Sequence, residues 1–161
     1  NVKSVEGKFV QSDKNLMCYG RWLGVCSAKN DIVYVQDDDW IPGDLNHLLN
    51  LFDMSKCDIV AYTAPTHSEQ TDRSKFVGFG GIVNRTHIST PIIKYIKRHG
   101  KDVLMYRECD LLVTNMCSYE KHTTHMKSIN IDVITDAMHV NSKHVLYHEA
   151  MLERVKELKN A

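Results

Sequence analysis

The stretch NDIVYVQDDDWIPGD, from Asn30 to Asp44, constrains this chain more than any other. The β-branched and aromatic run at positions 32–36 is short enough for a strand buried on both faces. It leads straight into Asp37, Asp38 and Asp39. Adjacent like charges repel and raise one another's pKa, so a fold gains from such a cluster only where something positive sits. Pro42 and Gly43 then break the chain. Asp44 predicts an N-cap for a helix over 45–52, with Leu45, Leu48, Leu49 and Phe52 on one face. A strand, a turn and a capped amphipathic helix in that order are the working unit of an α/β domain.

The rest of the chain continues the alternation. A short strand is predicted at 8–10 and a helix at 18–29, its apolar stripe made by Trp22, Leu23, Val25 and Cys26. Residues 58–63 read as a second buried strand, 65–75 as a polar loop, and 77–83 as a glycine-interrupted strand or turn. A helix follows at 91–98 with Pro91 in its first turn. Another helix starts in 107–115, and a late strand is expected at 131–134. Residues 145–158 form an amphipathic helix, with Val145, Leu146, Met151, Leu152, Val155 and Leu158 on one stripe. The expected architecture is a single α/β domain over all 161 residues, with a mostly parallel central sheet flanked by helices.

Composition narrows the function classes. The formal net charge is zero, so no global field draws in nucleic acid, and none is expected as a partner. The five cysteines are odd in number and contain no C-x-x-C pair, which argues against a disulfide framework and against a zinc ribbon. Cys109 and Cys117 read as buried thiols of a helical segment. No secretory leader and no apolar run near the roughly 18 residues of a membrane span is present, so a cytoplasmic location without a transmembrane segment is expected. His144 and His148, four apart, are a weak metal pair with no third ligand in view.

The aspartates carry the chemistry. In open α/β sheets ligands bind beyond the carboxyl ends of the strands, and the acidic run stands at such an end. Extended backbone would send Asp37 and Asp39 to one side and Asp38 to the other. A divalent cation relieves their repulsion. An all-oxygen donor set suits magnesium or manganese, which fill their remaining positions with water and phosphate oxygens. The site therefore reads as a metal that holds a diphosphate; the plain alternative is a solvated acidic turn ahead of the Asp44 cap.

These residues also carry a resemblance. The segment NLMCYGRWLGVCSAKNDIVYVQDDDW resembles the middle of the nucleotide-sugar-dependent glycosyltransferases of the GT-A fold, the large inverting family 2 in particular. That family's pattern runs N-x-G, A-R-N-x-G, a small residue, then an apolar strand ending in D-x-D. Asn15, Arg21, Gly24, Ala28 and Asp37 to Asp39 stand at matching offsets. Met17 replaces a usual glycine and Trp22 a usual asparagine. Further on, FVGFGGIVNR is similar to the glycine-rich acceptor-side strand, with Arg85 after it. YRECDLL resembles the E-D-x-D-L segment of the catalytic base, with Arg107 and Glu108 where Glu and Asp are usual and with Asp110 and Leu111 matching. The resemblance spans about Asn15 to Asn115. Members of the family open with a strand–helix–strand unit that holds the nucleotide base, so the chain is expected to be incomplete at its N-terminal side.

The resemblance implies a metal-dependent transferase that moves a sugar from a nucleotide-diphosphate donor to a hydroxyl of a glycan, protein or small-molecule acceptor, with inversion. It places Arg21, Asp37, Asp38, Gly80 and Gly81 on the donor, and Asp37 and Asp39 on a manganese or magnesium ion. His139, from a late loop over the diphosphate, joins the metal set. Glu108 is the implied general base; Asp110 binds the acceptor or caps its helix. A start-of-helix position would favour the ionised form of Glu108. The rival readings are a nucleotidyltransferase, for which a glycine-rich basic loop is missing, and a non-catalytic sugar-nucleotide-binding module of the same fold.

Overall fold

Helix α1 (Tyr19–Cys26) forms because Tyr19, Trp22 and Val25 recur at helical spacing, and the core takes all three. The computed structural model describes residues 12–37, 44–63, 80–123 and 144–161. The expected strands at 8–10 and 131–134, the loop at 65–75, and Asp38, Asp39 and His139 lie outside the described residues. Within them, β1 (Ile32–Val35), α2 (Leu45–Met54), β2 (Ile59–Thr63), β3 (Gly81–Asn84), α3 (Arg85–His99), α4 (Val103–Met116), β4 (Tyr119–Thr123) and α5 (His144–Lys159) follow α1. The described residues thus form an α/β structure of five helices on a four-stranded mixed sheet. No described helix is long and apolar enough to cross a membrane.

The strand order is β1-β3-β2-β4. Strand β3 runs antiparallel to both neighbours, and β4 pairs parallel with β2. The mostly parallel sheet expected from sequence is therefore corrected to a mixed one. The chain re-enters at the sheet end where β2 stops: the Tyr62 amide donates to the Gly80 carbonyl at 2.8 Å, and β3 heads back from there. As a result β1, β2 and β4 point their carboxyl ends the same way, and the glycine start of β3 shares that edge. Gly81 is the Cα partner of Val35.

Both faces of the sheet are covered. Ile59, Ala61 and Val83 face a large core with Trp22, Ile88, Tyr95, Met105, Leu112 and Met151, contributed by α1, α3, α4 and α5. Val60, Tyr62 and Ile82 alternate to the other face and pack against Leu48, Leu51 and Phe52 of α2. Asp44 caps α2 as expected, accepting from the Asn46 and His47 amides at 3.0 and 3.1 Å. Leu45 and Leu49, placed on the buried stripe by sequence, are instead exposed; the buried line runs through Leu48, Leu51 and Phe52. The same correction holds for Leu23, 38 % exposed, and for Val145 and Leu146, which precede the packed part of α5. A 3.6-residue period marks a face, but the neighbouring layer sets where that face is covered.

Two helix starts also differ from the sequence reading. Helix α3 begins at Arg85, six positions before Pro91, because Asn84 caps it through the His87 amide at 3.2 Å. Pro91 lacks the N–H that would bond the His87 carbonyl, and the Cys117 thiol lies 3.8 Å from that oxygen instead. Helix α4 begins at Val103, with Asp102 accepting from the Met105 amide at 3.0 Å and holding the Tyr95 hydroxyl at 3.0 Å. No sequence signal anticipates β4, because YEKHT is polar at alternate and adjacent positions alike and joins the sheet only as an edge partner of β2.

Candidate functional site

The chain before α1 already shows why a glycine is usual at position 17. Met17 holds φ 48°, the one left-handed non-glycine among the described residues. Its amide is taken by the Asn15 side chain at 2.9 Å, and its carbonyl receives the Gly20 amide at 3.2 Å. Asn15 and residue 17 thus form the turn that launches α1. Met17→Gly removes about 1–2 kcal/mol of left-handed cost and adds about 0.5–1 kcal/mol of chain entropy to be lost on folding. The expected outcome is a higher urea midpoint at unchanged slope; a lower midpoint would mean that the side chain earns more from packing than the turn loses.

Helix α1 delivers Arg21 and Trp22 to the carboxyl end of β1. Arg21 Nη2 pairs with Asp37 Oδ1, two residues beyond the strand. Its Nη1 lies 3.8 Å from Asp110 Oδ2 on α4. The Trp22 indole N–H donates to Asp110 Oδ1. Trp22 is fully buried, and a buried indole needs an acceptor. Burial works against the Arg21 charge, but Asp110 and Asp37 outweigh it and lift the guanidinium above its ordinary pKa. Burial pushes the Asp110 carboxyl up to about 6, against the pull of Arg21 and the Trp22 hydrogen bond; the negative charges of Asp37 and Glu108 push the same way. One cation between two carboxylates leaves this edge acidic, and Asp110 is the member whose charge the fold resists.

Asp110 therefore does not cap its helix. Its carbonyl receives the Thr114 hydroxyl at 2.8 Å, while its side chain turns to α1. Glu108 is the sixth residue of α4 and sits where two helical segments meet, so the helix start expected in 107–115 is present as the second of them, continuous with a first that opens at Val103. It stands at a kink, with φ −122° and ψ 22°. The Cys18 thiol donates to the Tyr106 and Arg107 carbonyls at 3.3 and 3.0 Å beside that kink. Glu108 is 3 % exposed, and its Oε2 lies 3.0 Å from His148 Nδ1 on α5. The pairing of His148 with Glu108 is one that four-residue spacing could not reveal.

Gly80 and Gly81 stand at the same edge. Gly80 has φ 108°, and a Cβ there would sit 2.5 Å from the Tyr34 hydroxyl. Its glycine is thus accounted for by backbone conformation and by the approach of Tyr34. Arg85 lies at the far end of the sheet, paired with Asp31 at 2.7 Å, because β3 runs back to the start of β1.

Of the expected metal ligands, the described residues include Asp37 alone. Among the described residues no group of three or more His, Cys, Asp or Glu side chains could hold a metal ion. The Asp37 donor atoms are carboxylate oxygens, which suit a hard cation, and one of them already carries Arg21. The residues that sequence reading missed are Trp22, Cys18 and His148 in its role on Glu108. Only Trp22 left a signal, as an aromatic residue with an N–H where the resembled pattern has an amide. Comparison of the chain with protein-family models, with curated proteins and with solved structures gave no match.

Proposed function

We propose that this chain is a GT-A-like glycosyltransferase domain that moves a sugar from a nucleotide diphosphate to an acceptor hydroxyl, with inversion. The observation that carries the reading is the convergence of Arg21, Asp37 and Asp110 at the carboxyl ends of parallel-running strands, beside the glycine start of β3. A ligand of an α/β sheet binds at such an edge. Arg21 is fixed as a charged fork with part of its side chain accessible, and a fork of this kind matches phosphate oxygens in pairs. Asp37 and Asp110 hold that fork in place. Gly80 and Gly81 add no side chains of their own to this edge, where the Tyr34 ring reaches across Gly80.

In this reading Glu108 accepts the proton of the acceptor hydroxyl. The hydroxyl oxygen forms a bond to the anomeric carbon as the bond from that carbon to the diphosphate oxygen breaks, and the diphosphate leaves with the electron pair. A magnesium or manganese ion held by Asp37 and Asp39, with His139, would supply charge neutralisation on the leaving diphosphate. The near-complete burial of Glu108 against His148 favours a second reading, a sugar-nucleotide-binding module without turnover.

The test is a titration of nucleotide sugars with and without manganese, followed by thermal unfolding. A ligand bound only by the folded chain at about 100 times its Kd adds about 2.7 kcal/mol of stability. A manganese-dependent rise in Tm with one donor supports the reading, and no rise with any donor removes it. Glu108→Gln then separates the two forms: turnover lost with donor binding kept supports the transferase, and a wild type that binds without turnover supports the module.

A further inference from the structure

We infer that His148 is a positioning residue for Glu108, holding its carboxylate in one place beside the kink of α4. This rests on the transferase reading, in which Glu108 takes the acceptor's proton. A deeply buried carboxylate is costly unless polar partners meet it. The His148 side chain, 13 % exposed, places its Nδ1 3.0 Å from Glu108 Oε2. The neighbouring Arg107 guanidinium is stacked over the Tyr147 ring, 4.7 Å from its centroid, so α4 and α5 engage each other residue by residue at this level.

The other charges around the pair come from three directions. Helix α1 contributes Arg21 and Cys18, which sit with Asp110 and with the kink carbonyls. Asp37 beyond β1 pairs with Arg21. On α4 itself, Asp110 opposes a second negative charge, and Cys109 is a buried neutral thiol.

Docking of α5 does not call for this pair. Met151, Val155 and Leu158 are buried in the main core below it. A buried ion pair is commonly no more stabilising than apolar residues of the same volume, so packing alone gives no reason to place Glu108 opposite His148. The kink gives a further one: the Cys18 thiol at the Tyr106 and Arg107 carbonyls fixes the bend from the α1 side, while His148 fixes the side chain from the α5 side.

The experiment has two arms. In the first, the imidazole of His148 is titrated by NMR in the wild type and in Glu108→Gln. Loss of the carboxylate is expected to lower the His148 pKa by at least about one unit, the size of an opposite-charge effect at this range; an unchanged pKa overturns the inference whether or not the chain turns over. In the second, His148→Ala and the volume-keeping His148→Gln are assayed with the donor found by thermal shift. Without the imidazole beside Glu108, the acid limb of the kcat profile is expected to move up. At neutral pH kcat is expected to fall on the order of 10–100-fold, as for lost supporting contacts elsewhere, while KM stays within about twofold. Folded variants with the wild-type pH profile overturn the inference. If the wild type shows neither donor binding nor turnover, the transferase reading fails, and the NMR arm still decides the pairing by itself.

Discussion

Trp22→Ala is expected to remove a large fraction of the chain's stability and to lower its urea midpoint sharply. Trp22 is fully buried in the main core, and truncating such a side chain costs about 3–5 kcal/mol. Small domains hold only about 5–15 kcal/mol in total. The loss also strips Asp110 of its indole donor, leaving a partly buried carboxylate with Arg21 at 3.8 Å. Trp22→Phe separates the two contributions. It keeps a six-membered aromatic ring and removes the N–H with the pyrrole part of the indole. The cost of an unsatisfied acceptor, about 1–3 kcal/mol, then adds to a smaller cavity cost than that of alanine. Urea unfolding of the three proteins measures this. A Trp22→Phe midpoint equal to that of the wild type would show that the indole is not what holds Asp110.

The second large effect has the opposite sign: Asp110→Asn is expected to stabilise the chain at pH 7.5. The folded carboxyl titrates at about 6, raised from the ordinary 3.8 chiefly by burial. Between these values the folded state holds a proton that the unfolded state has lost. Stability therefore falls as pH rises from about 4 to about 6, and the cost is fully present above that window. A shift of about two units corresponds to about 3 kcal/mol at most. Asparagine is neutral throughout and can still accept from Trp22. The variant should melt higher than the wild type at pH 7.5, with the advantage fading towards pH 4. Destabilisation at pH 7.5 would mean that the Arg21 pairing outweighs burial. Carboxyl groups with strongly shifted pKa values are common at functional sites, and structural ion pairs shift them as well.

Local chemistry was legible in the chain. The apolar run before Asp37 became β1, Asp44 became the cap of α2, and residues 59–63 became β2. Those outcomes depend on neighbours within a few positions, through side-chain oxygens, β-branching and chain breaks. Helices α3 and α4 open at Arg85 and Val103, ahead of the expected starts, because the Asn84 and Asp102 side chains cap them there. The candidate site was legible as a set of types, Arg21, Asp37, Gly80, Gly81, Glu108 and Asp110, but not as an arrangement.

What the sequence determined by itself was therefore which segments could be strands or helices, and that an acidic cluster closes an apolar strand, because propensity, capping and periodicity act over a turn or two. Only the tertiary structure decided that β3 turns back, that Glu108 is buried against His148, and that Asp110 joins Arg21. Trp22 reaches Asp110 across 88 positions of sequence. Contacts at that separation follow from how α1, α4 and α5 share one face of the sheet, and the burial of each charge, hence its pKa, comes only with that packing.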